Sequence, residues 1–168
     1  EMVARVVARL VLAGRDAGAP AFWAEPSVLW IAERVTGTSD EMEHCVAARW
    51  NHAERGPFAA DPVLLRGNLS LLWGLDDIDV AGRVLEASWA ALAARGDAET
   101  PAAALDAALR QTTGLGMADL LLRAATQQAT GGTPPLRWAA RVQALPQFER
   151  DAAMPVGPLG IALVRVFP

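Results

Sequence analysis

The sequence predicts an all-α fold, an irregular bundle or orthogonal array of about seven to nine short helices. Three observations carry this. Alanine, the strongest intrinsic helix former, supplies 35 of 168 residues. Gly and Pro recur at helix-length intervals, often beside residues that cap helices. Between them, apolar residues repeat at helical spacing.

The first element is a helix in which Val3, Val6, Val7, Leu10 and Val11 form one stripe, with Arg5 and Arg9 on the other side. Its β-branched content leaves a strand as the alternative. Gly14 and Gly18 end it. Asp16 to Pro26 reads as a loop holding Phe22 and Trp23. Pro26-Ser27 opens a second helix, closed by Gly37 in the C′ position. Thr38, Ser39 and Asp40 are consecutive cap candidates. Thr38 with Glu41, or Asp40 with Glu43, would form a capping box. That helix runs to about Arg55, and Gly56-Pro57 stops it.

Asp61-Pro62 is an N-cap followed by Pro at N1, and the helix it starts reaches Trp73 before Gly74. Asp76, Asp77 and Asp79 suit the start of the next helix, where the macrodipole favours acids. It covers Val80 to Arg95 and buries Val84, Leu85, Trp89 and Leu92. Thr100-Pro101 repeats the cap-then-Pro signature, and that helix ends before Gly114. Met117 to Ala129 is a further helix. A short one follows around Trp138 and Val142, broken by Pro146, with a last turn or two reaching Ala153.

Residues 1–153 therefore read as one helical domain and 154–168 as a Pro/Gly-rich apolar tail. Ile161 to Phe167 has strand character, and a lone strand cannot satisfy its own backbone. It must pair with the first segment, another copy or further chain, or else dock as one more helical turn. A shift of 40 residues aligns Leu65, Leu69, Gly74, Leu75, Asp79 and Arg83 with Leu105, Leu109, Gly114, Leu115, Asp119 and Arg123. This weak match would suit two related helix pairs.

Composition excludes more than it assigns. A hydrophobic content of 52% is too high for disorder. No charge-free apolar run is long enough to span a membrane. All 15 basic residues are Arg, which suits a GC-rich, bacterial-like coding bias. They are mixed with 19 acids at a net charge of −4, so no basic stripe for nucleic acid appears. One Cys rules out an internal disulfide and suits a reducing compartment, the cytoplasm. Without Lys there is no Walker A loop and no Schiff base. No Gly-x-Ser-x-Gly elbow is present.

The cluster most like a reactive site lies on the third helix, with Glu41, Glu43, His44, Cys45, Asn51, His52 and Glu54. Glu41-x-x-His44 has di-iron spacing, but the required second Glu-x-x-His is missing. Cys45 and His52 lie about 10 Å apart along a helix axis, too far for an activated thiolate pair. No catalytic residue, metal site or cofactor is expected.

The leading expectation is a protein–protein interaction or structural module, part of a larger polypeptide or assembly, meeting a partner protein or itself. The non-Met start and apolar end suggest that larger context. The candidate contact residues are Phe22, Trp23, Val156, Leu159, Ile161, Leu163, Val166 and Phe167. The adjacent loop aromatics Phe22 and Trp23 would either anchor a partner or close over the core. A small-molecule domain with an apolar inter-helix pocket is the alternative. An enzyme using His44 and His52 with neighbouring Glu is the third reading.

Overall fold

A computed structural model describes residues 1–16, 18–52, 55–76 and 81–129, with side chains as far as Thr126. The fold is all-α, and the described residues contain no strand. Among the described residues eight helical segments follow one another: α1 Met2–Ala13, α2 Ala21–Thr36, α3 Asp40–Asn51, α4 Pro62–Gly67, α5 Leu69–Asp76, α6 Ala81–Ala94, α7 Pro101–Thr113 and α8 Met117–Ala129. The expected helix around Trp138 and the tail 154–168 lie outside the described residues.

Several termini follow the local signals. Asp61 caps α4 by accepting from the amides of Val63 and Leu64, with Pro62 in the first turn. Thr100 caps α7 through the Ala103 amide, and Gly114 closes it in the left-handed conformation at φ 77°. For α3 the cap is Ser39, which accepts from the Met42 amide at 3.3 Å. Neither expected capping box forms. Thr38 donates to Glu33 instead, and Glu41 is drawn to Arg5 and Arg66.

The Asp16–Pro26 loop is corrected. Helix α2 starts at Ala21, so Phe22 and Trp23 are helical and Pro26 lies inside the helix. A proline there removes the amide that would bond the Phe22 carbonyl four residues back. Asn68 replaces it, donating from Nδ2 to Phe22 O at 3.2 Å.

The α4–α5 segment is likewise one expected helix interrupted by a single residue, and that residue is Asn68. Its side chain is buried and makes three connections. Besides Phe22 O, Nδ2 reaches Pro57 O at 2.9 Å, and Oδ1 accepts from Arg49 Nε at 3.1 Å. One amide thus ties α2, α3 and the loop before α4 to a helix break. Beside it α3 and α4 pack in very close approach. A Cβ on Gly67 would lie 2.3 Å from the Cys45 carbonyl and 2.4 Å from Arg49 Cβ.

The core gathers Met42, Val46, Leu69, Leu72, Leu75, Val84, Trp89, Leu105 and Leu109. The stripe expected on α6 is buried as read: Val84, Leu85, Trp89 and Leu92. At its centre α2 and α6 exchange polar contacts. Trp23 Nε1 donates to Ser88 Oγ at 3.0 Å, and Trp89 Nε1 donates to Ser27 Oγ at 3.3 Å. Each serine in turn donates back to its own helix, Ser27 to Trp23 O and Ser88 to Val84 O. Burying an indole costs free energy unless its N–H finds a partner, and each helix supplies the other's.

Two further expectations change. Asp76 ends α5 rather than starting the next helix, and it accepts from Trp30 Nε1 at 2.8 Å while pairing with Arg34. Gly74 also does not stop its helix, and in the 40-residue match it differs from its counterpart: it lies within α5, whereas Gly114 ends α7.

Candidate functional site

Helix α1 forms where its periodicity predicts, but it faces the other way. A stripe at positions 3, 7 and 10 of an α-helix lies opposite positions 5, 8 and 12. The body receives the second set. Ala8 is 2% exposed and Leu12 6%. Val3 is 76% exposed and Leu10 68%, while Val6, Val7 and Val11 are each more than half exposed.

Charge pairing explains the orientation. Arg5 reaches Glu41 on α3 at 3.1 Å, and Arg9 reaches Glu25 on α2 at 2.8 Å. Arg66 on α4 joins the two acids, at 3.2 Å from Glu41 and 3.6 Å from Glu25. Three guanidiniums and two carboxylates from four helices therefore alternate in one network that joins α1 to its neighbours. Glu1 closes the N-terminal end, pairing with Arg5 and accepting from Ser39 Oγ at 3.0 Å. The hydrogen bond from Arg5 holds the Glu41 carboxyl below its ordinary range, against partial desolvation. Isolated surface pairs contribute little, but a network with small residues between its arms can orient a short helix. Ala4 and Ala8 are those small residues.

The outward stripe makes one wall of a groove, and the C-terminal half of α2 makes the other. Val3, Val7 and Val11 face Ile31 and Val35 across a space of about 430 Å³. Ala4 and Ala8 also line it. Its polar residues are Glu1 and Thr36, both where α1 begins and α2 ends. Val35 is itself strongly exposed. Monomers seldom leave so many adjacent branched side chains in water without a use for them.

The residues expected to make contacts fare differently. Trp23 is 1% exposed and donates to Ser88, so it closes the core and offers no face to a partner. Phe22 is partly buried and meets Phe58 edge-on, with ring centroids 4.5 Å apart. Helix α2 begins before Trp23 and turns it inward, the core-closing alternative, whereas Phe22 keeps part of its surface exposed. Val156, Leu159, Ile161, Leu163, Val166 and Phe167 lie outside the described residues.

The α3 cluster does not converge. His44 and His52 are both exposed, and Glu41 is held by two arginines. Among the described residues no three His, Cys, Asp or Glu side chains come together as a metal site would need. Cys45 is buried, and that burial pushes its thiol pKa up, away from a reactive thiolate.

Comparison with protein-family models, curated proteins and solved structures returned no match. No helix among the described residues is long and apolar enough to cross a membrane.

Sequence reasoning missed Asn68, Arg49 and the groove itself. Periodicity marked the aliphatic residues of α1 correctly but assigned them to the core. The available signal was Arg5 and Arg9, one turn apart and ready to meet acids on other helices.

Proposed function

We propose that this chain is a helical protein-interaction module that docks an apolar polypeptide segment along the α1–α2 groove. One observation carries the reading: the aliphatic stripe of α1 is turned away from the core and lines an open groove with α2. Polypeptide segments that dock in grooves present branched side chains at regular intervals, and this groove is lined to receive them. Its volume of about 430 Å³ also falls in the range of small-ligand sites, about 300–1,000 Å³. Such sites aim a small number of polar groups at the ligand from among apolar walls, and here Glu1 is already taken up by Arg5 and Ser39. Here only Glu1 and Thr36 are polar, which favours a long apolar occupant.

The test uses a fluorescent peptide with the sequence of residues 156–168, an apolar stretch with one charged residue, added to the full-length protein. Saturable binding is expected. Val7→Asp with Val11→Asp, both in the groove lining, should weaken it about ten-fold or more, since losing one well-buried aliphatic contact is worth about 1.5–3 kcal/mol. Both positions are more than half exposed, so the helical signal by circular dichroism should hold. Binding that ignores the double substitution would contradict the reading.

A further inference from the structure

We infer that the occupant of this surface is the α1 helix of a second copy, so that the chain pairs into a two-fold symmetric dimer through the outward side of α1. The inference rests on the reading of the α1–α2 groove as a polypeptide-docking surface and names what docks there.

Three observations select a second copy. The first is the extent of the face. Six aliphatic residues of α1 stand more than half exposed, and they form two rows at four-residue spacing, Met2-Val6-Leu10 and Val3-Val7-Val11. The groove is lined by the second row, with Ile31 and Val35, and by none of the first. A segment confined to the groove leaves Met2, Val6 and Leu10 in water. A helix laid along α1 covers both rows.

The second is area. A fully exposed aliphatic side chain presents roughly 100 Å² of apolar surface, so the exposed fractions of these six residues and Val35 amount to about 450 Å². Homodimer interfaces are about 65% apolar, so a face built on this patch covers about 700 Å² per copy and about 1,400 Å² in the pair. Stable, specific interfaces bury about 1,200–2,000 Å².

The third is symmetry. Each row is symmetric about its middle residue, and those residues, Val6 and Val7, lie about 1.5 Å apart along the helix axis. A second α1 turned antiparallel about a two-fold axis at that height sets Val7 beside its own counterpart and Val3 beside Val11, with Met2 beside Leu10 in the other row. Every apolar position meets an apolar one. Like charges also meet across such an axis, but Arg5 and Arg9 are already paired with Glu41 and Glu25 in their own copy. Neither therefore brings an unmatched charge into the contact.

The test is the mass of the full-length chain by sedimentation equilibrium over a dilution series of about 1–100 μM, because interfaces of this size bind at micromolar affinity or tighter. Twice the mass of one chain is expected at the concentrated end. Val7→Asp with Val11→Asp should raise the dimer dissociation constant about a hundred-fold or more, because each substitution enters the contact twice. Leu122→Asp, on α8 and equally exposed to water, should leave that constant unchanged. At dilutions that leave the chain monomeric the stripe stands in water, and there Val7→Asp should leave the stability of the single chain nearly unchanged. The mass of one chain throughout the series would overturn the second copy as occupant. If the 156–168 peptide still bound such a chain, and Val7→Asp with Val11→Asp abolished that binding, the docking surface would stand and only its occupant would change. If the peptide failed as well, the groove reading would fall with the dimer. A dimer that ignores Val7→Asp with Val11→Asp pairs through another surface, which likewise overturns the proposal.

Discussion

Helices α1 and α2 lie side by side and handle their apolar residues in opposite ways. Up to Ala32, helix α2 buries Trp23, Val28 and Leu29 and matches its buried polar groups across to α6, Trp23 with Ser88 and Ser27 with Trp89. Helix α1 pairs its charged arms with acids on its neighbours and leaves its aliphatic stripe outward. The difference shows that helical periodicity identifies a stripe but not its destination. Where acids on neighbouring helices are placed to receive arginines, the polar face can become the anchoring face. The centre should accordingly be brittle and the α1 side tolerant, and the following substitutions would sharpen or break that contrast.

The largest loss is expected at Asn68. Asn68→Leu keeps the branched shape but removes the hydrogen bonds to Arg49 Nε and to the carbonyls of Phe22 and Pro57. With about 1–3 kcal/mol for each unmet buried group, the expected destabilisation is about 4 kcal/mol. The denaturant midpoint checks it, and a change under about 1 kcal/mol would remove Asn68 as the hub of the centre.

Gly67→Ala comes next. Its new Cβ would collide with the α3 backbone, and relieving that requires two helices to separate. A loss of about 3 kcal/mol is expected. Gly82→Ala is the matched control, because the nearest atom to its Cβ would be 3.9 Å away. It should be neutral or stabilising by up to about 1 kcal/mol. Thermal melts of the two variants should therefore move in different directions.

Ser27→Ala and Ser88→Ala should each cost about 1–2 kcal/mol, because each leaves a buried indole N–H without its acceptor. If both are silent by chemical denaturation, the exchange between α2 and α6 contributes shape and no stability.

The smallest effect is on the α1 side and depends on acid. The Glu41 carboxyl titrates below its ordinary range because Arg5 bonds it, and Asp16 does so because of Arg95. Carboxylates depressed in the folded state contribute fully above their ordinary pKa, and the contribution is lost as pH falls through the lower folded value. Stability should thus hold from neutrality to about pH 4.5 and decline below about pH 4. Glu41→Gln should shallow that decline, as urea midpoints across pH would reveal.

Much of the fold was legible in the sequence. Caps at Asp61 and Thr100, the stop at Gly114 and the span of α8 all rest on interactions within a few residues. Illegible features depended on distant partners. Pro26 reads as a helix start until Asn68, far along the chain, supplies the donor that the proline removed. Asn68 itself sits in a helical pattern with nothing local to mark a break. The groove was hidden for the same reason, since Glu25, Glu41 and Arg66 come from three different helices.

Neighbouring positions on α1 give the most direct test that its aliphatic side faces outward. Unfolding free energies of Val7→Asp and Ala8→Asp in the full-length chain would be compared. Helical periodicity alone assigns Val7 to the core, whereas the structure assigns Ala8. We predict a cost under about 1 kcal/mol for Val7→Asp and about 3 kcal/mol or more for Ala8→Asp, which forces an unpaired charge into a buried site. The reverse order would contradict the account.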